Sequence, residues 1–178
     1  MKKCFLCNKR IPKRFCLYYQ NDICSLCCGE KRREEIICPK DCSYLKSAQT
    51  HLKEKLNIPF LNYEEDFNKN LRKQLINLKN TRLRDLKEEE ILEIIEILIE
   101  KIRLETKNLI YEPKIIDIRK QLIYETLESL IKNHLNGQEN YKKYTKEYIL
   151  TLLKLEEKII NNLKEKEESY FKIFSLLS

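Results

Sequence analysis

Hydrophobic residues recur every three or four positions from Tyr63 to the end of the chain. This period places them on one face of an amphipathic α-helix. It predicts four helical segments, near residues 63–79, 85–112, 113–136 and 138–174. Because the connections between them are short, neighbouring helices should run antiparallel and pack as a three- or four-helix bundle.

The ends of these helices have their own signals. Asn62 is the predicted cap of the first helix, and Asp85 with Glu88 forms a possible capping box for the second. Pro113 suits the first turn of the third helix, and Gly137 suits its C-terminal cap. The fourth helix could be continuous over more than thirty residues, either extending the bundle or projecting as an arm that pairs with a second chain.

The first 55 residues follow a different pattern. Residues 15–19 alternate loosely and predict a short strand after Pro12, and residues 30–37 predict a short helix. So few apolar residues cannot bury a large core. The predicted fold is therefore mainly α, with a small N-terminal module of short strands and a helix (1–55) followed by a helical bundle with a long C-terminal helix (60–178).

All cysteines of the chain lie in this module, and they explain how it could fold. They are Cys4, Cys7, Cys16, Cys24, Cys27, Cys28, Cys38 and Cys42. Cys4 with Cys7 and Cys24 with Cys27 form two Cys-x2-Cys pairs. Sixteen residues separate the two pairs, which is the spacing of zinc ribbons. Eight thiolates suffice for two structural zinc ions with four sulfur ligands each.

The adjacent Cys27 and Cys28 indicate how the ligands divide, because neighbouring side chains diverge and rarely serve one ion. The predicted first site is formed by Cys4, Cys7, Cys24 and Cys27, and the predicted second site by Cys16, Cys28, Cys38 and Cys42. A cross-braced exchange of partners, a single zinc with spare thiols, an iron–sulfur cluster and disulfides are the alternatives. His51 could replace a thiolate, but its position favours an ordinary surface histidine.

The positive charge of the chain is concentrated in the same module. Residues 1–55 hold 13 Lys and Arg against 6 Asp and Glu, which accounts for the whole net charge of +7. Two zinc ions with four thiolates each would reduce it to about +3. The cations and an aromatic residue that could contact nucleic acid are Lys13, Arg14, Tyr18, Lys31, Arg32 and Arg33. The alternative is that the aromatic residues fill the small core and the cations keep it soluble.

Other classes of function find little support. The longest apolar run, residues 91–99, contains Glu93 and Glu96, which argues against a membrane span. No signal-peptide core follows Met1, so we expect a cytoplasmic protein. Neither histidine has a glutamate three residues before it, and two glycines cannot form a phosphate-binding loop. Zinc with four sulfur ligands has no open position for catalysis.

The sequence thus predicts a non-enzymatic zinc protein that acts as an interaction module or scaffold, with a protein or nucleic acid as partner. The alternative is an iron–sulfur or thiol-redox protein. The runs Cys24-Ser-Leu-Cys-Cys-Gly-Glu-Lys-Arg32 and Ile37-Cys-Pro-Lys-Asp-Cys-Ser-Tyr-Leu45, with His51, resemble the N-terminal signature of an uncharacterised bacterial family. Residues 109–112, Leu-Ile-Tyr-Glu, resemble its helical half. The resemblance implies a metal-binding bacterial protein without an assigned activity.

Overall fold

The computed structural model describes residues 2–33, 35–56 and 65–177. Over these residues the protein is mainly helical, as predicted, with a small two-stranded sheet near the N-terminus. The described elements, in chain order, are β1 (Arg14–Cys16), β2 (Asn21–Ile23), α1 (Ser25–Glu30), α2 (Ser43–Leu56), α3 (Asp66–Thr81), α4 (Glu88–Glu105), α5 (Ile118–Asn136), α6 (Lys146–Glu165) and α7 (Tyr170–Leu177).

The chain divides into two compact units. The cysteine unit comprises Met1–Asn57 together with Lys172–Ser178, and the helical unit comprises Ile58–Phe171. Hydrogen bonds connect the two segments of the cysteine unit: Arg33 Nε donates to the Ser175 carbonyl at 3.0 Å, and Gln49 Nε2 donates to the Leu176 carbonyl at 2.6 Å. The C-terminal residues therefore belong to the same unit as the cysteines.

In the helical unit, α4 packs against α5 and α6, and α3 also contacts both of these helices. The apolar face of each helix points into a shared core, where the side chains with almost no exposed surface include Phe67, Leu71, Leu75, Ile91, Ile94, Ile95, Leu98, Ile123, Ile149, Leu153, Ile160 and Leu163. Burial of these faces is the main source of stability for such a bundle.

A charged group lies inside this core. Glu156 on α6 has no exposed surface and accepts hydrogen bonds from Arg72 Nε and Nη2, both at 2.8 Å. Asn68 Nδ2 and the Tyr170 hydroxyl also donate to its carboxylate, each at 2.8 Å. The bidentate geometry and the two neutral donors replace the water that the carboxylate loses on burial.

Some helix ends differ from the sequence predictions. Gly137, with φ of +60°, ends α5 as predicted. The helix begins at Ile118 and not at Pro113, because the Asp117 carboxylate accepts a hydrogen bond from Arg119 N at 2.7 Å. The capping box predicted for Asp85 and Glu88 lies two residues later. Lys87 is the N-cap of α4, and Glu90 accepts a hydrogen bond from Lys87 N at 2.9 Å. Asn62 and Tyr63 lie outside the described residues.

The predicted long C-terminal helix is two helices. The hydroxyl of Thr145 accepts a hydrogen bond from Tyr148 N at 3.3 Å where α6 begins. After Glu165 the chain turns, with Glu167 at φ of 54°, and Glu168 N donates to the Leu163 carbonyl at 2.9 Å. This closure satisfies a carbonyl at the end of α6, so the helix ends without the Gly or Pro that would mark it in the sequence.

In the cysteine unit, β1 and β2 pair antiparallel, with Phe15 opposite Asp22. β1 overlaps the strand predicted for residues 15–19 only at Phe15 and Cys16: it begins one residue earlier, and residues 17–20 form a turn. The helix predicted for residues 30–37 is wrong, since the helical turn lies earlier, in α1. Gly29 is inside α1, and beyond this helix Ile36 N donates a hydrogen bond to the Lys31 carbonyl at 2.9 Å.

Candidate metal centre

The structure brings the two Cys-x2-Cys pairs together. The Sγ atoms of Cys4, Cys7, Cys24 and Cys27 all lie within 4.8 Å of one another, and Cys7 and Cys24 are 4.0 Å apart. Cys4, Cys24 and Cys27 are almost completely buried, and Cys7 is half-buried. All of the cysteines in the chain are free thiols, so no disulfide competes for these sulfurs.

Tight backbone turns position each pair. After Cys4 the chain closes with Asn8 N donating to the Cys4 carbonyl at 2.8 Å, which Asn8 permits by adopting a φ of 52°. The second pair stands at the start of α1, where Cys24 is the N-cap and its sulfur accepts from Cys27 N at 3.4 Å. Cys24 N donates to Cys4 Sγ at 3.1 Å and so joins the pairs.

The sulfur separations fit a single metal ion. Tetrahedral zinc with Zn–S bonds of about 2.3 Å requires sulfurs about 3.8 Å apart. The largest separation of 4.8 Å exceeds this value by about 1 Å. Small side-chain rotations would therefore complete the coordination. A cluster of several irons spreads its four thiolates further apart, so the geometry favours a mononuclear site over an iron–sulfur cluster.

The local electrostatics already favour thiolates at part of this site. Backbone N–H groups of Lys9 and Arg10 lower the pKa of Cys7 to about 6. Burial alone would raise the pKa of Cys4, but backbone hydrogen bonds, chiefly from Cys24, outweigh it and lower the pKa. Burial and, to a smaller extent, the neighbouring sulfurs of the same group raise the pKa of Cys27 to about 12. A metal ion binds the thiolate, so binding at Cys27 would release this proton and put the metal in its place.

The other four cysteines line a small cavity. Cys16, Cys28, Cys38 and Cys42 line one cavity of about 10 Å³ in the cysteine unit. Their sulfurs do not all approach within 4.8 Å, and among the described residues only the first set does so. Cys28, Cys38 and Cys42 are buried, whereas Cys16 is half-buried.

Arg32 lies beside this second set and was not predicted as part of it. Its Nη2 is 3.5 Å from Cys28 Sγ, its side chain is 91% buried, and its Nε has no hydrogen-bond partner in the described part of the chain. Burial alone would raise the pKa of Cys28, but Arg32 and Arg14 outweigh it and lower the pKa. Burial raises the pKa of Cys38. The spacing of four residues between Cys28 and Arg32 was the available sequence signal.

The residues predicted to contact nucleic acid do not share one surface environment. Arg32 is buried, Arg33 donates to Ser175, and Lys31 pairs with Glu35. The guanidinium of Arg14 lies 5.0 Å from the centre of the Tyr44 ring. The remaining two, Lys13 and Tyr18, are exposed.

An open cavity of about 370 Å³ lies beside β1. It is lined by Lys2, Ile11, Pro12, Lys13, Arg14, Phe15 and Asp22. Lys2 was absent from the predicted interface. The half-exposed ring of Phe15 points outward because it alternates with its strand neighbours, which the alternation along residues 15–19 could have shown.

Comparisons with family models, with curated proteins and with solved structures give no match to this chain. The resemblance to a bacterial family therefore stays a prediction. Over the described residues, no helix combines the length and the apolar character that a membrane crossing requires.

Proposed function

We propose that this protein binds two zinc ions and acts as a non-enzymatic interaction module or scaffold. The observation that carries the proposal is the convergence of Cys4, Cys7, Cys24 and Cys27 within 4.8 Å. Four thiolates at tetrahedral spacing are the ligand set of structural zinc. Such a site leaves no position for water, so its role is to hold the surrounding surface in shape. Reduced thiols in this number suit the cytoplasm, which we propose as the location.

The second ion would be held by Cys16, Cys28, Cys38 and Cys42. Support comes from their common cavity and from the arginine beside Cys28. A zinc ion with four thiolates carries a charge of about −2, and a buried guanidinium next to it offsets part of that charge. The ligands of the two sites meet at Cys27 and Cys28 on α1.

Metal analysis and native mass spectrometry of the full chain test this proposal. We expect two zinc ions per chain and no visible absorption. Cys7→Ser and Cys38→Ser should each reduce the content to about one ion, because they remove ligands from different sites. Ser25→Ala, which changes an exposed residue of α1, is the control and should keep two. One ion in the native chain would exclude the second site, and iron with visible absorption would exclude zinc.

A nucleic acid is the second candidate partner. It is supported by the open cavity that Lys2, Lys13 and Arg14 line together with Phe15 and a single acidic residue, Asp22, since cations with an exposed ring suit phosphates and a stacked base. Phe15→Ala should weaken salt-dependent binding to a single-stranded oligonucleotide. Lys31→Glu, a change at a residue already paired with Glu35, should have a smaller effect. Absence of binding at low salt would contradict this candidate.

A further inference from the structure

The connection between α4 and α5 has no regular secondary structure, but its side chains have the exposure pattern of a strand. Along residues 110–116 the even-numbered side chains are exposed and the odd-numbered ones are half-buried. Successive side chains of a β-strand point to opposite sides in this way. The outward side chains are Ile110, Glu112, Lys114 and Ile116. We name residues 110–116 the linker strand.

The linker strand has no strand partner within the described part of the chain. No hydrogen bond to the backbone of residues 110–116 occurs among the described residues. Ile110 is 94% exposed and Ile116 is 96% exposed. A segment with this alternation, free backbone groups and exposed β-branched side chains is a template for pairing with another strand.

The sequence of the linker strand is complementary to itself. When two copies run antiparallel with Pro113 opposite Pro113, Glu112 faces Lys114 of the other copy. In the same register Ile110 faces Ile116, so each outward side chain meets a suitable neighbour. Glu112 and Lys114 form no ion pair elsewhere in the described residues, so both charges are available for this contact.

The position of the proline agrees with this register. Antiparallel strands alternate between hydrogen-bonded and non-hydrogen-bonded residue pairs. A proline has no N–H and is tolerated only where the ladder does not need one. If the two Pro113 residues form a non-hydrogen-bonded pair, each Glu112 forms a hydrogen-bonded pair with Lys114 of the other copy. The two residues of that pair exchange both backbone hydrogen bonds. The proline then costs no ladder bond.

We propose that the linker strand is a docking site for a second copy of this chain, paired antiparallel about Pro113. The contact is isologous and uses the same segment on both copies, so it closes as a dimer and does not propagate. Two short strands, residues 110–116 of each copy, form a small interface, so the dimer should be reversible, with a dissociation constant on the order of 10 µM. This inference is independent of the proposed metal sites.

Charge reversal tests the pairing by analytical ultracentrifugation of the full chain at about 1 to 200 µM, a range that brackets the expected constant. Glu112→Lys places like charges opposite each other twice per dimer, and so does Lys114→Glu. Each variant should weaken dimerisation on the order of tenfold. The double variant restores opposite charges in exchanged positions and should recover most of the affinity.

Matched controls separate this pairing from a general effect of charge. Glu96→Lys and Lys154→Glu make the same chemical changes at exposed positions of α4 and α6. Both should dimerise as the native chain does, and every variant should keep the native metal content. A chain that stays monomeric over the whole range would overturn the proposal. So would a dimer that is unaffected by the single reversals, or single-reversal losses that the double variant does not recover.

Discussion

At the scale of single residues, Glu156 is the position where the smallest change should have the largest effect. Glu156→Gln replaces an acceptor of four hydrogen bonds with an amide whose NH₂ group faces donors, and it removes the counter-charge that Glu156 supplies to the buried Arg72. Removing one partner of a buried pair costs about 3–5 kcal/mol. We expect a loss of this size in the free energy of unfolding of the helical unit, measured by urea denaturation.

Glu157→Gln is the control, because it changes the adjacent, half-buried residue of the same helix. Equal effects of the two substitutions would contradict the importance of the buried pair. The sequence contained part of this information. Glu156 lies four residues after Leu152 and four before Ile160, on the buried face of α6. Its partners could not be predicted, since Arg72 lies on another helix and the contact depends on how the two pack.

At the scale of elements, the ion pairs between α4 and α5 should give the helical unit a dependence on acid pH. Lys101 Nζ is 2.6 Å from Glu128 Oε1, and Tyr124 and Lys132 also donate to this carboxylate. Burial alone would raise the pKa of Glu128, but these donors outweigh it and lower the pKa from 4.5 to about 2. A lowered pKa in the folded state stabilises the fold above the unfolded pKa, and the contribution disappears as the pH falls towards 2.

Glu128→Gln should therefore cost stability at neutral pH and progressively less in acid. The full shift corresponds to about 3 kcal/mol, but the pair is in partial contact with solvent, so we expect about 1–2 kcal/mol at pH 7. Urea denaturation of the native chain and the variant at pH 7 and pH 3 measures the difference. Glu96→Gln is the exposed control on α4. A difference that is the same at both pH values would contradict the assignment.

The element scale also shows what periodicity could and could not predict. Apolar spacing located α3 to α6, and Gly137 marked one end because its φ of +60° favours glycine. The break between α6 and α7 was missed because Glu167 adopts a left-handed φ without being glycine. The start of α5 was predicted too early because Pro113 and Asp117 are both plausible helix starts, and the cap hydrogen bonds decide between them.

At the scale of the whole molecule, the cysteine pattern predicted that the N-terminal residues form a module that needs metal. The first four-cysteine group agrees with the predicted ligand set, because Cys-x2-Cys turns are local structures. The second set of Cys16, Cys28, Cys38 and Cys42 depends on contacts between segments that are separated in sequence. The spacing of the cysteines alone could therefore not establish it. The sequence also gave no signal that residues 172–178 belong to the cysteine unit, because the bonds of Arg33 and Gln49 to that segment span more than 120 residues.

Removing the metal should unfold the cysteine unit and leave the helical unit folded. The buried cluster of the cysteine unit consists of cysteines with Ile23, Ile36 and Leu45, whereas the helical unit has an apolar core of its own. Structural zinc can contribute on the order of 10 kcal/mol to folding, which such a small cluster cannot replace. Hydrogen exchange with and without a strong chelator should show protection lost over residues 2–56 and retained in α3 to α6.

The C-terminal segment makes this prediction specific. Because residues 172–177 belong to the cysteine unit, their amides should lose protection together with residues 2–56, although they follow the helical unit in the chain. Adding zinc back should restore protection in both segments, and magnesium, which prefers oxygen ligands, should not. Loss of protection throughout α3 to α6 would mean that the two units fold as one. Retained protection in residues 2–56 would mean that the thiols fold this unit without metal.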